Sequence, residues 1–224
     1  MFTNFDLKYS PKSLDDIVFQ SQTARETIEN CVSGDVGFPA SGKNGIVLYG
    51  VNGTGKSALA KILPDLMEKA RGGEAANENY FNISQGGDNG ATIIATIKSQ
   101  AQYETLGPKF HYFVLDEVDN LRQDSMTSLK VAMNTNAANC VYVFTTNKLA
   151  ALDRGVLDRS VRVELNAADS KLWLLRFQRI LTDYGVTTVS NCAALEIIDQ
   201  CNGSARQILW AARQLIVQHK RKAA

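Results

Sequence analysis

The chain has 224 residues, 45% of them hydrophobic and 21% charged, with a formal net charge of +1. This composition argues for a globular protein and against a disordered or fibrous one, and so small a net charge supplies no overall field toward nucleic acid, so that any such contact must come from a local patch. The first residues lack a signal-peptide core and no apolar run is long enough to span a bilayer, so a cytoplasmic protein without a membrane partner is expected.

In chain order, residues 1–20 are polar, contain Pro11 and read as an extended arm. QTARETIENCV (22–32) reads as a helix, and the glycine-containing stretch 34–45 with Pro39 as a turn-rich loop. GIVLY (45–49) is a short apolar run of buried-strand type, followed at once by a glycine loop and a helical pattern from Lys56. YFNIS (80–84), HYFVLDE (111–117), CVYVFTTN (140–147) and VRVEL (161–165) read as further strands. Helical stretches at 92–102 and 124–134 lie between them. Such alternation predicts an α/β fold, a parallel sheet covered by helices on both faces.

After Leu165 the pattern is helical only, at 169–185, 191–203 and 204–222, with Asp169 or Ser170 as a cap and Gly185 and Gly203 as stops. Trp173, Phe177, Ile180 and Leu181 share one helix face, which predicts a core. The expected division is an α/β body over 1–165 and a small all-helical lid over 166–224. Cys31, Cys140, Cys192 and Cys201 form no CxxC pair, which predicts reduced, buried thiols and no zinc ribbon.

Gly50, Val51, Asn52, Gly53, Thr54, Gly55, Lys56 and Ser57 fit GxxxxGK[ST] without a mismatch, after a predicted strand and, from Lys56 through Ala58, opening a predicted helix. Glycines allow backbone N–H groups to turn toward phosphate, and the helix N-terminus adds its positive dipole end. Lys56 is expected to reach the β- and γ-phosphates of ATP, and Ser57 to offer an oxygen to Mg2+. Asp116 ends an apolar strand, where open α/β sheets bind ligands, and is expected to hold the magnesium through water. Glu117, beside it, is the expected base for the attacking water. Asn147 ends another buried strand, with an amide suited to the lytic water or the γ-phosphate. Arg159 stands next to the last body strand, and Arg206 near the start of the final helix.

With these motifs in hand, the chain resembles the AAA+ (P-loop NTPase) ATPases, and among them the motor subunits of sliding-clamp loaders, of replication factor C small-subunit or phage large-subunit type. The resemblance runs from about Lys8 to about Leu215. KYSPKSLDDIVFQ is similar to the family's N-terminal box, which packs near adenine; Lys8, Tyr9, Pro11, Asp16 and Gln20 agree with it, while Ser10 and Phe19 replace Arg and Gly. Tyr9 and Pro11 are thereby implied at the ATP site. Asn82, Ser84 and Gly90 match a stretch that leads in loaders into a helix facing DNA. The resemblance also makes Asn147 sensor 1, Arg206 sensor 2 and Arg159 the arginine finger acting on ATP held by a neighbouring subunit.

The chain departs from that pattern in places. Asp158 and Ser160 flank Arg159 where loaders have Ser and Cys, and Arg154 and Arg162 compete for the finger role. Met126 stands roughly where loaders carry a glutamine that couples DNA sensing to hydrolysis. Loader subunits continue into a helical collar, which is not expected within these 224 residues, so that either assembly relies on the ATP interfaces alone or the collar lies outside this chain. The resemblance implies a homo- or hetero-oligomer, a pentamer or hexamer, with a sliding clamp and primer–template DNA as partners. DNA contacts are expected at Gly90, Thr92, Lys98 and Lys130. The alternatives left open are an AAA+ protein remodeller, a helicase loader, a branch-migration motor or a nucleotide-sensing scaffold.

Overall fold

In the computed structural model, the described residues are 5–40, 42–84, 90–103, 105, 107–135 and 137–223, with the side chains of 222 and 223 excluded. Part of the stretch matched to the DNA-facing helix, 85–89, lies outside them, as does the end of the basic tail. Among the described residues, five strands form one sheet: β1 (Gly45–Tyr49), β2 (Glu78–Asn82), β3 (His111–Asp116), β4 (Cys140–Thr146) and β5 (Ser160–Glu164). Their order is β2-β3-β4-β1-β5 and every neighbouring pair is parallel. The predicted strand at 80–84 begins two residues earlier and ends at Asn82, a shift that keeps the same side chains on the same faces. Likewise β5 lies one residue earlier than VRVEL.

Alternate residues of the central strands feed two separate cores. Val47, Phe113, Leu115 and Phe144 pack on the face covered by α4 (Ala91–Gln100), α5 (Gln123–Asn134) and α6 (Arg154–Asp158). Ile46, Leu48, Val114 and Val143 pack on the other, against α2 (Gln22–Ser33) and α3 (Lys56–Ala70). Both faces are dry, which explains why these strands read as unbroken apolar runs. A charged side chain also lies inside this layer. Glu68 of α3 is fully buried, accepts the Tyr112 hydroxyl at 2.8 Å and the Lys109 backbone N–H at 3.1 Å, and so satisfies its lone pairs within the protein.

A third core belongs to α7 (Ser170–Thr182), α8 (Asn191–Gln200) and α9 (Ala205–Ala223). The Asp169 side chain caps α7 by accepting from Lys171 N, and Trp173, Phe177, Ile180 and Leu181 are all buried as predicted. The extended arm expected for the first residues is corrected: Phe5–Tyr9 form a short helix, α1, and residues 14–16 a 3-10 turn. The physical reason is distant. Phe5 and Tyr9, one helical turn apart, pack on each other and on Tyr184, and the Tyr9 hydroxyl donates to Asp183 at 2.9 Å. The Arg176 guanidinium, largely buried, donates to the Tyr9 carbonyl at 3.1 Å and to the Asp16 carbonyl. These partners are reached only in three dimensions.

All four cysteines are free thiols, with Cys31 and Cys140 buried. Burial pushes both of these thiols up to about 11. Cys192 is exposed, which corrects the expectation of uniform burial; it lies on the outer face of α8. Among the described residues, no helix is long and apolar enough to cross a membrane.

Candidate active site

The loop between β1 and α3 turns on three glycines in the left-handed region, Gly50 (φ 136°), Gly53 (φ 82°) and Gly55 (φ 97°). Its shape is held from behind by groups on other segments. The buried Thr54 hydroxyl donates to the Val51 carbonyl at 3.1 Å and to the Leu165 carbonyl at 2.8 Å. Ala205 N, at the start of α9, donates to the Gly53 carbonyl at 2.8 Å, which ties the helical segment to the loop. At Gly50 the constraint is steric as well. A Cβ there would stand 2.5 Å from the Leu165 carbonyl oxygen, so Gly50→Ala is expected to lower stability by about 2 kcal/mol. The same substitution should remove nucleotide binding, as read by urea unfolding and fluorescent-nucleotide titration.

Lys56 is buried and points its ammonium back into the loop, donating to the carbonyls of Gly50 (2.9 Å) and Val51 (2.6 Å). Its pKa is lowered from the ordinary lysine value by burial, against the opposing fields of Asp116, Asp119 and Glu117. The two carbonyls are neutral, so an entering phosphate offers this cation a better partner than the ones it has.

At the tip of β3, Asp116 Oδ1 accepts the Ser57 hydroxyl at 2.8 Å, and Thr145 Oγ1 donates to the same oxygen. Glu117 follows in a left-handed conformation, φ 58° and ψ 47°, that a non-glycine residue adopts only when its surroundings impose it. They do: its backbone N–H donates to Thr145 Oγ1 at 2.9 Å, and its carboxylate accepts from Asn120 Nδ2 at 3.2 Å. The turn throws the Glu117 side chain toward the loop, while Asp116 stays buried beside Ser57.

Twelve sequence-predicted or neighbouring groups therefore converge on one cleft of about 600 Å³, at the carboxyl end of the strands. Asn52, Gly53, Gly55, Lys56, Ser57 and Ala58 line one wall; Glu117, Thr145 and Asn147 line the facing one, and Ala205, Arg206 and Leu209 of α9 close the side. Gly50 and Val51 sit behind, as acceptors for Lys56. Tyr9 and the half-buried Pro11 are not brought there. Tyr9 lines a separate cleft with Arg176, Arg179 and Asp183.

Arg159 is placed at the other end of the sheet. It precedes β5, whose first residue Ser160 pairs with Gly45 while Glu164 pairs with Tyr49, so roughly 13 Å of strand separates it from the loop of its own chain. Its guanidinium donates to Asn134 Oδ1 at 2.6 Å and to the Gly155 carbonyl at 2.8 Å. Arg154 opens α6 at that same end and is exposed, whereas Arg162 lies at mid-strand opposite Val47. Of the DNA candidates, Gly90 precedes α4, Thr92 is exposed, Lys98 is half-buried, and Lys130 pairs with Asp153 at 3.7 Å. Met126 is buried in the core beneath α5.

Sequence reading missed Thr145, Asn120 and Arg176. Thr145 stands two residues before Asn147 in a strand whose apolar run hides it, and only the pairing of β3 with β4 brings it to Asp116.

A family profile described as the ATPase family associated with various cellular activities (AAA) matches residues 46–167. The chain belongs to this AAA family. ATP hydrolysis is the activity of that family, and the matched span holds the phosphate loop, Asp116, Glu117, Asn147 and Arg159. This AAA chain is 26% identical over 177 residues to a replication factor C small subunit of Methanocella arvoryzae, covering 77% of this chain and 52% of that protein. It thus spans about half the length of the replication factor C relatives it matches. Among solved structures it is similar to the RuvB Holliday junction branch migration motor of Thermotoga maritima, with a TM-score of 0.69 at 18% identity over 92% of this chain and 64% of that one. A DNA polymerase III gamma subunit-related protein of Thermotoga maritima superposes with a TM-score of 0.57 at 18% identity, over 84% of this chain and 57% of that one. At these identities the structural likenesses establish the fold alone.

Proposed function

We propose that this chain is an ATP-hydrolysing motor subunit of an oligomeric clamp-loader-type assembly, which uses ATP at subunit interfaces to place a sliding clamp on primer–template DNA. One observation carries the reading: the groups for holding ATP and activating water share a cleft at one end of the sheet, and Arg159 stands at the other end. A single protomer then holds ATP without a finger of its own. The likeness to replication factor C small subunits favours clamp loading over other AAA roles.

In this reading residues 1–165 are the nucleotide-binding body and 166–224 the lid, joined to the loop through Ala205 and Gly53. Lys56 and the N–H groups of the loop bind the phosphates. Ser57 and Asp116 fit magnesium, since they offer hard oxygen donors and a single carboxylate, as sites that leave the metal several waters do. Bound with ATP, that ion neutralises phosphate charge. Glu117 takes a proton from the water that attacks the γ-phosphoryl group, Asn147 orients that water, and ADP and phosphate result. Arg206 faces the phosphates from the lid, and Arg159 of a neighbouring subunit stabilises the charge that develops. DNA would run past α4 and α5, with backbone contacts near Gly90, Thr92, Lys98 and Lys130 that carry no base preference.

The test is ATP turnover with and without primer–template DNA and the cognate sliding clamp. Joint stimulation by the two is the expected result, and no response to either would sink the clamp-loading role. A branch-migration or remodelling role, consistent with the RuvB-like fold, is favoured instead if ATP drives closed hexamers that ignore the clamp.

A further inference from the structure

The Asp116 carboxylate takes a third hydroxyl hydrogen bond, besides those from Ser57 and Thr145, and no part of the proposed chemistry uses it. Tyr80 Oη donates to Asp116 Oδ2 at 2.5 Å. Tyr80 lies on β2, the edge strand, two residues before Asn82, the register partner of Asp116. Its half-buried ring is covered by the Lys61 ammonium, 4.6 Å from the ring centroid. The ring also packs against the apolar core under α2 and α3, so the hydroxyl arrives on a side chain held from two sides.

We propose that Tyr80 is a positioning residue for the divalent cation that accompanies the nucleotide. The terminal torsion of an aspartate is broad and roughly two-fold, so an unpinned carboxylate exchanges its oxygens with little resistance. Ser57 and Thr145 both hold Oδ1, and by occupying Oδ2 as well Tyr80 fixes the plane of the carboxylate, so that one defined oxygen stays turned to Ser57. Magnesium demands near-ideal octahedral geometry and gives up its waters reluctantly, so a carboxylate that acts through water has to be oriented narrowly. Partners that orient a metal-binding carboxylate typically change metal affinity by about 10–100-fold when removed. The inference rests on the reading of Asp116 as the carboxylate that serves magnesium.

The test compares wild-type protein with Tyr80→Phe by titrating a fluorescent ADP analogue, first in EDTA and then across a Mg2+ series. In EDTA the two are expected to bind within about twofold, because the phosphate loop is untouched. The Mg2+ concentration that half-maximally tightens binding should rise about tenfold in Tyr80→Phe, and saturating Mg2+ should restore wild-type affinity. Lys61→Ala removes the cover over the ring but keeps the hydroxyl, and should leave the Mg2+ requirement within about twofold of wild type. An unchanged requirement in Tyr80→Phe overturns the inference, and so does an equal rise in Lys61→Ala, which would assign the effect to ring packing. Wild-type binding that ignores Mg2+ altogether overturns the reading of Asp116 itself, a different failure.

Discussion

Glu117→Gln is expected to slow ATP turnover by about 10²–10⁴-fold, the usual contribution of a positioned general base, while nucleotide affinity stays at the wild-type value. The substitution keeps size and shape, and its amide oxygen still accepts from Asn120 Nδ2, so the left-handed turn at Glu117 keeps its anchors. Lys56→Ala is a different kind of loss, since it removes the cation that meets the phosphates and abolishes binding along with turnover. Measuring the affinity and the single-turnover rate of Glu117→Gln separates base from binder. Turnover at the wild-type rate would mean that no base had been removed, and would favour a nucleotide-sensing scaffold.

Mixing is the second large effect. Arg159→Ala and Lys56→Ala proteins should each be nearly inactive, the first by roughly 10³–10⁵-fold if the finger is worth what related phosphoryl-transfer systems show. An equal, randomly assembled mixture should recover about one quarter of wild-type turnover, because a site works where an intact loop meets an intact finger, which is one pairing in about four. Each variant must keep its fold and self-association for the comparison to hold. A mixture as dead as its parts means that Arg159 is not supplied in trans. Arg154→Ala, at the same end of the sheet, is the parallel experiment for the competing finger.

The phosphate loop was legible because its parts are contiguous: eight residues, a strand before them and a helix after. The body strands were legible because two dry faces require apolar runs, and Ile46–Leu48 and Tyr112–Leu115 are wholly buried. Where the reading fell short, the cause was a partner far along the chain. The first residues read as an arm, yet the Tyr9 hydroxyl meets Asp183, 174 residues away, and the aromatic contacts around it make a helix of them. Thr145 and Tyr80 were invisible for the same reason. Neither has a local signal of its own, and each gains its meaning from the neighbouring strand that carries Asp116.

The separation of Arg159 from the phosphate loop by the length of the sheet has one further outcome. If Arg159 acts on a neighbour's ATP, as proposed, every protomer carries a socket at one end and a key at the other, and copies would line up head to tail and not face to face. An open row of such copies always leaves its last socket without a key. The terminal protomer of a gapped spiral would hold ATP and stall, and only closing the gap, or a different partner docked there, would let it fire.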